Sequence, residues 1–247
     1  MMAVQSSWSL ERRGPIALLV FNRAPINMLS FVAAGELHRA LCALELDPQV
    51  SVVVLTGGVP GYFIAHIDLD DVGRLARREP PQGDPDDFGR VTARLESMPQ
   101  PTIAAVNGQA WGAGCELALA CTLRVAAQSA HFRLHEVSKG AIPGGGGTQR
   151  LPRLIGQARA SAMILASRLV RAEEAVGLGL AEAVLPDADF LRHACDWLAP
   201  IAAQPPHALF AAKRAIIDGL AMPLAQGLAN EQRLFAQAVG SQAFVDR

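Results

Sequence analysis

The chain has 247 residues, enough to bury one large core or one domain with a smaller appendage. Its 22 basic and 23 acidic residues leave a formal charge of −1, which gives no bulk electrostatic reason to expect nucleic acid or an anionic membrane as a partner. With 51% hydrophobic and 18% charged residues the composition is globular and tilted toward Ala-rich helices, and no segment reaches the length of a membrane span. The four cysteines fit neither a C-x-x-C pair nor a disulfide framework, so a reduced, cytoplasmic setting is expected. No basic start followed by an apolar run opens the chain, and an unprocessed, soluble protein is expected.

In chain order, IALLVF at 16–21 reads as a buried strand, 31–46 as a helix stopped near Asp47-Pro48, and SVVVLT at 51–56 as a second buried strand. Strand, helix, strand is the signature of an α/β architecture. Residues 57–61 (GGVPG) form a turn, and the segment after it leads into Asp68, Asp70 and Asp71, which suit the positive end of a helix running toward Arg78. Three prolines and a glycine in 79–85 mark a surface loop, with a lid over a binding site as the alternative reading. Residues 102–106 are an apolar strand, 107–112 a turn of mostly small residues, and 113–121 a short helix. Helices follow at 148–155, 159–167 and 172–176, with a short strand at 183–185. After that come three amphipathic helices at 189–203, 207–220 and 223–239, separated by prolines. The expected organisation is a core over 1–188 and a helical region over 189–247. An all-helical tail on an α/β core packs readily on a neighbouring subunit, so an oligomer is expected.

Chemistry concentrates in 101–151. Glu116 sits among small and apolar residues, where an unpaired carboxylate would cost several kcal/mol, so burial raises its pKa or a partner holds it. Glu136 follows twenty positions on. Two such acids can divide acid and base roles; equally, Glu116 can be a strut paired with an arginine while Glu136 caps a loop. His131 and His135, with the acid Glu136 beside them, have no evident third ligand and alternate like a strand, which reads as structural histidines and no metal. The four glycines at 144–147 lack the Lys-Ser or Lys-Thr of a phosphate loop; they suit a helix start that approaches another backbone. Helix starts near Ala65 and Ala113 each offer a spare N–H, the material of an oxyanion hole.

Four ordered segments carry a resemblance: 22–30 (NRAPINMLS), 53–69 with its VVLTG start and FIAHIDL end, 101–119 (PTIAAVNGQAWGAGCELAL) and 140–151 (GAIPGGGGTQRL). They resemble the enoyl-CoA hydratase/isomerase, or crotonase, family over nearly the whole chain. The resemblance implies a spiral of ββα units with a C-terminal helical region that assembles trimers, often paired into hexamers. It implies an acyl-CoA thioester as substrate, no metal and no redox cofactor. By position, Glu116 and Glu136 fall on the two catalytic acids, and the backbone N–H groups of Ala65 and Ala113 on the oxyanion donors. His66, Ile67, Asp68, Trp111, Gly112 and Gly144 are expected to line the substrate. With both acids present, the resemblance implies syn addition of water to a trans-2-enoyl-CoA, giving the 3-hydroxyacyl-CoA. The alternatives are a double-bond isomerase, another thioester-enolate enzyme, or a weakly catalytic acyl-CoA-binding paralogue.

The chain departs from the family pattern at four places near these residues. His66 and Ala113 stand where glycine is usual, His135 where proline is common before the second acid, and Trp111 where the family is often aliphatic. A histidine at 66 is strained if its φ is positive, and otherwise is free to contact the thioester or pantetheine. Trp111 predicts a short or reshaped acyl pocket. The ending 240–247 looks like the family ending with several residues missing, which predicts altered contacts at the last helix.

Overall fold

The computed structural model describes residues 6–245; the first five residues, and the last two of the ending noted above, lie outside it. The strands are β1 (Trp8–Arg13), β2 (Ile16–Phe21), β3 (Val52–Gly57), β4 (Gly61–Ile64), β5 (Thr102–Val106), β6 (Gly108–Trp111), β7 (Leu123–Ala127), β8 (His131–Arg133), β9 (Val170–Arg171) and β10 (Ala183–Leu185). The helices are α1 (Phe31–Glu45), α2 (Leu69–Ala76), α3 (Asp87–Ser97), α4 (Ala113–Ala120), α5 (Gly147–Ile155), α6 (Gln157–Leu165), α7 (Ala172–Leu178), α8 (Phe190–Ala202), α9 (Pro206–Leu220), α10 (Leu224–Val239) and α11 (Gln242–Val245), with a 3-10 turn over Glu136–Lys139.

Three strand pairs give the fold its repeat. The first member of each pair, β3, β5 or β7, joins a six-stranded sheet ordered β1-β2-β3-β5-β7-β10; the second, β4, β6 or β8, joins a four-stranded sheet ordered β4-β6-β8-β9. The β-branched and aliphatic runs read from the sequence supply β2, β3, β5 and β10 of the larger sheet, and β1 and β7, which were not read as strands, complete it. Its parallel register aligns Leu18 with Val54, Val54 with Ile103, and Ile103 with Leu123. Strands buried on both faces read as continuous apolar runs, and β3 and β5 are buried at every position.

The smaller sheet is where the sequence reading falls short. Residues 107–112 were expected to form a turn, but only the two ends, Asn107 and Gly112, lie outside a strand; the Asn107 side-chain amide bonds both the N–H (3.1 Å) and the carbonyl (2.8 Å) of Gly57. Residues 108–111 then run as β6 between β4 and β8, with Gly61 opposite Gly108 and Gln109 opposite His131. A four-residue strand rich in small side chains has no periodicity of its own; its neighbours hold it in place.

Helix α4 follows β6 and lies inside the core, with all eight residues buried. Gly114 makes that possible: a Cβ there would fall 1.9 Å from the Ile64 carbonyl oxygen. At the other end of the chain, α8 buries Ala194 and Leu198 in the same core cluster as the strands, whereas α10 buries none of its residues. Between them α9 is tethered by the buried Lys213. Its ammonium donates to the carbonyls of Leu95 (3.2 Å), Met98 (2.7 Å) and Gln100 (2.9 Å) at the C-terminal end of α3. Among the described residues no helix is long and apolar enough to cross a membrane.

Candidate active site

Helix α4 carries Glu116 into the core, where the residue is 2% exposed. The arginine strut considered from sequence is not what holds it. Its Oε1 accepts the backbone N–H groups of Gly145 (2.7 Å) and Gly147 (2.9 Å), at the start of α5. The glycine run therefore wraps a carboxylate rather than another backbone stretch, and the positive end of α5 faces that carboxylate. Arg150 stands behind it, bonded to the Gly145 carbonyl (2.8 Å) and paired with Glu96 (2.9 Å). Burial raises the Glu116 pKa to about 7; the Gly147 and Gly145 N–H groups and Arg150 pull against that rise, and the nearby charge of Glu136 adds to it.

Glu136 opens the 3-10 turn after β8, half-buried. Its Oε1 lies 2.8 Å from where a Cβ on Gly112 would sit, and its Oε2 is buried without a hydrogen-bond partner. Burial raises this pKa also, partly offset by the N–H groups of Glu136 itself and His135. Gly112 lies under both features. Its φ of 48° and ψ of −119° suit only glycine, and this twist aims the N-terminus of α4 past Glu136.

One assigned donor needs correction. The Ala65 N–H is already given to the Asn27 carbonyl at 3.0 Å, so it has nothing left for a ligand. Two residues on, the geometry differs. Leu29 N–H donates to His66 O, and Asp68 N–H to Leu29 O, both at 2.8 Å, in a parallel bridge between Leu29 and Ile67. Peptide groups alternate sides along an extended segment, so the Ile67 N–H points away from Leu29. Ala113 is the first residue of α4, where an N–H has no partner within its own helix. Sequence reasoning named Ile67 only as a lining residue. The bridge that frees its N–H pairs segments almost forty positions apart and leaves no local trace.

The remaining candidates divide. His66 is not among the positive-φ residues, so the strain considered for it is absent; its Nδ1 lies 2.6 Å from the Ile67 carbonyl oxygen. Asp68 is buried and its carboxylate is committed, capping α2 through Asp70 N–H (3.0 Å) and pairing with Arg23 (2.7 Å). It therefore positions α2 instead of contacting substrate through its side chain. Trp111 is half-buried, its Nε1–H donating to His131 Nδ1 (2.9 Å) with the Arg133 guanidinium 5.0 Å over its ring. Gly144 is exposed in the loop before α5. His131 and His135 both stand at Trp111, with ring centroids 5.5 Å and 5.7 Å from it, and among the described residues no three metal-type ligands gather. Beside α2 a cavity of about 580 Å³ opens, its wall mixing Arg23, Arg74 and Arg77 with Glu36, Asp68, Asp70 and Asp71.

Residues 11–245 match the sequence pattern of the enoyl-CoA hydratase/isomerase family. The chain belongs to that family. It is 40% identical over 245 residues to the mitochondrial methylglutaconyl-CoA hydratase of Rattus norvegicus, spanning 94% of this chain and 75% of that protein. It is 38% identical over 227 residues to the 2,3-dehydroadipyl-CoA hydratase of Escherichia coli (strain K12), spanning 92% of this chain and 88% of that one. Among solved structures, the enoyl-CoA hydratase of Bacillus anthracis superposes with a TM-score of 0.88 at 33% identity, covering 96% of this chain and 92% of that one. These likenesses make the architecture the crotonase fold, with the two sheets and the C-terminal helices as its parts.

Proposed function

We propose that this family member hydrates a trans-2-enoyl-CoA to the 3-hydroxyacyl-CoA. One observation carries the reading: two acids stand beside two uncommitted backbone donors. One acid is held by a pair of N–H groups and the other has a buried oxygen without a partner.

The thioester oxygen is taken by the N–H groups of Ile67 and Ala113. Each such donor contributes on the order of a hundredfold to a thousandfold where negative charge develops on that oxygen. Burial lifts Glu116 to about 7 against the two N–H bonds it accepts, so near neutral pH it is ionised in part, and in that form it orients the water and accepts its proton as oxygen bonds to C3. Glu136 holds the remaining proton and delivers it to C2 of the enolate. Both acids reach the same face of the double bond, which makes the addition syn. The proton accepted by Glu116 then replaces the one given by Glu136, and the pair returns to a singly protonated state.

Crotonyl-CoA tests this, since hydration removes its conjugated absorbance. Glu116→Gln and Glu136→Gln should each lower kcat by roughly a hundredfold to ten-thousandfold. Near-normal turnover by either variant rules the mechanism out. The unpartnered Glu136 Oε2 also suits a one-acid isomerase, which moves a proton between C2 and C4. In that case a 3-enoyl-CoA is converted to the conjugated isomer, and Glu116→Gln retains that activity.

A further inference from the structure

Three side chains meet over Gly112. A Cβ built there would lie 2.8 Å from Glu136 Oε1, 3.6 Å from His135 Cε1 and 3.6 Å from His66 Cβ. The two imidazole rings stand 6.1 Å apart, and Trp111 closes on His135 at 5.7 Å. The hydration chemistry uses only Glu136 of this group. The histidines stand where the family pattern has glycine and proline, neither of which can bond to an acyl chain through a side chain.

His135 Nδ1 is buried without a hydrogen-bond partner. A hydrocarbon chain end packed on it would leave that atom unpaired, at about 1–3 kcal/mol. The surroundings say what kind of partner is missing. Arg133 and Lys139 lie near enough to depress His135 along with burial and His66, and the ion pairs among the described residues use neither cation. Arg133 is aimed by its Nε–H bond to the Ser167 carbonyl (2.7 Å) and stacked on Trp111. The neighbourhood of Glu136 thus holds a buried imidazole nitrogen without a partner, with two cations nearby that no ion pair among the described residues takes up.

We propose that the acyl group taken by this site ends in a carboxylate: the substrate is the CoA thioester of a short unsaturated dicarboxylic acid, its free carboxylate received by His135 with His66 beside it. The inference rests on the hydratase reading and sharpens it. A substrate carboxylate near Glu136 favours the protonated form of that residue, the form that delivers a proton to C2. Sites built to bond a polar group reject analogues that lack it far more strongly than apolar pockets distinguish chain lengths.

The test compares glutaconyl-CoA with trans-2-pentenoyl-CoA, which differ only in carboxylate against methyl at the chain end. The wild-type kcat/KM should favour glutaconyl-CoA by tenfold or more. His135→Leu should collapse that ratio, and His135→Gln, which restores a donor, should recover part of it. A ratio taken within one protein does not depend on how much of it is folded, so mere structural damage leaves it unmoved. Equal use of both thioesters by the wild type, or a ratio unchanged in His135→Leu, overturns the proposal. If neither thioester is hydrated, the hydratase reading falls, and calorimetric titration with glutaryl-CoA and pentanoyl-CoA decides the rest. Tenfold tighter binding of glutaryl-CoA, lost in His135→Leu, sustains the carboxylate site; equal binding ends it.

Discussion

Glu116 is a buried acid whose pKa rises from an ordinary 4.5 to about 7, and the sign of that rise makes two predictions. Between those values the folded protein keeps a proton that the unfolded chain has released. The stabilising contribution is therefore complete below pH 4.5 and lost as pH rises through 7. Above 7 the ionised group costs the fold about 3 kcal/mol. Glu116→Gln should accordingly be more stable than the wild type at pH 8 by up to that amount and nearly equal to it at pH 5, as read by urea unfolding at both. An identical difference at the two pH values would show that burial does not tune this group. Activity runs the other way. Hydration needs the Glu116 carboxylate, so kcat/KM for crotonyl-CoA should fall on the acid side with a midpoint near 7. The profile belongs to the interacting pair of acids and not to either one alone. At Gly112, Gly112→Ala forces a side chain into a glycine-only conformation and toward Glu136 Oε1 at 2.8 Å. It should lose about 1–3 kcal/mol of stability together with most of its turnover. An active, fully stable alanine variant would show that this twist does not shape the site.

At the scale of elements, four strands of the large sheet (β2, β3, β5 and β10) and most helices were legible because each carries its own signal, whereas β1 and β7 were not read. β2, β3 and β5 are unbroken apolar runs, and α1 starts at Ser30, whose side chain accepts the Ala33 N–H. The small sheet was not, because β4 and β6 owe their extension to each other across nearly fifty residues. The same divide runs through the site. Glu116 was conspicuous as one acid in an apolar helix, whereas the release of Ile67 N–H and the loss of Ala65 N–H depend on pairing with Leu29 and Asn27. Lys213 shows it again: on its own helix it reads as a surface residue, yet it is 4% exposed and serves three carbonyls in and just past the last turn of α3. Lys213→Met keeps the aliphatic stem and removes every donor. It should lower stability by about 3 kcal/mol and loosen α9 first, seen as faster amide exchange in 206–220 than in α4. Unchanged exchange in α9 would mean the tether is dispensable.

The whole molecule is divided by burial. α8 belongs to the common core, while α9 and α10 present Ile216, Leu220, Leu224, Leu228 and Phe235 to solvent, all more than half exposed. Isolated exposed apolar residues need no explanation, but five on two successive helices form a face of the kind that a partner covers. The two helices are already packed closely on each other, Gly219 meeting Gly227 at a distance that leaves a Cβ on Gly227 only 3.5 Å of clearance. Their outer faces are therefore what remains for assembly, and family resemblance makes a second and third copy of this chain the expected cover. A trimer or its dimer should appear in sedimentation equilibrium. Leu228→Glu with Phe235→Glu, both on the outer side of α10, should shift it toward monomer, because a desolvated carboxylate in an apolar contact costs more than the contact gains. The active site gives that experiment its second reading. Glu116, Glu136, Ile67 and Ala113 all come from the spiral core of one chain, so the dissociated variant should keep the acid pair's pH profile even where its thermal stability falls. A wild type that sediments as a monomer would leave the apolar face of α10 with another purpose, and a variant that loses the pH profile on dissociation would show that the neighbouring subunit holds the catalytic pair in place.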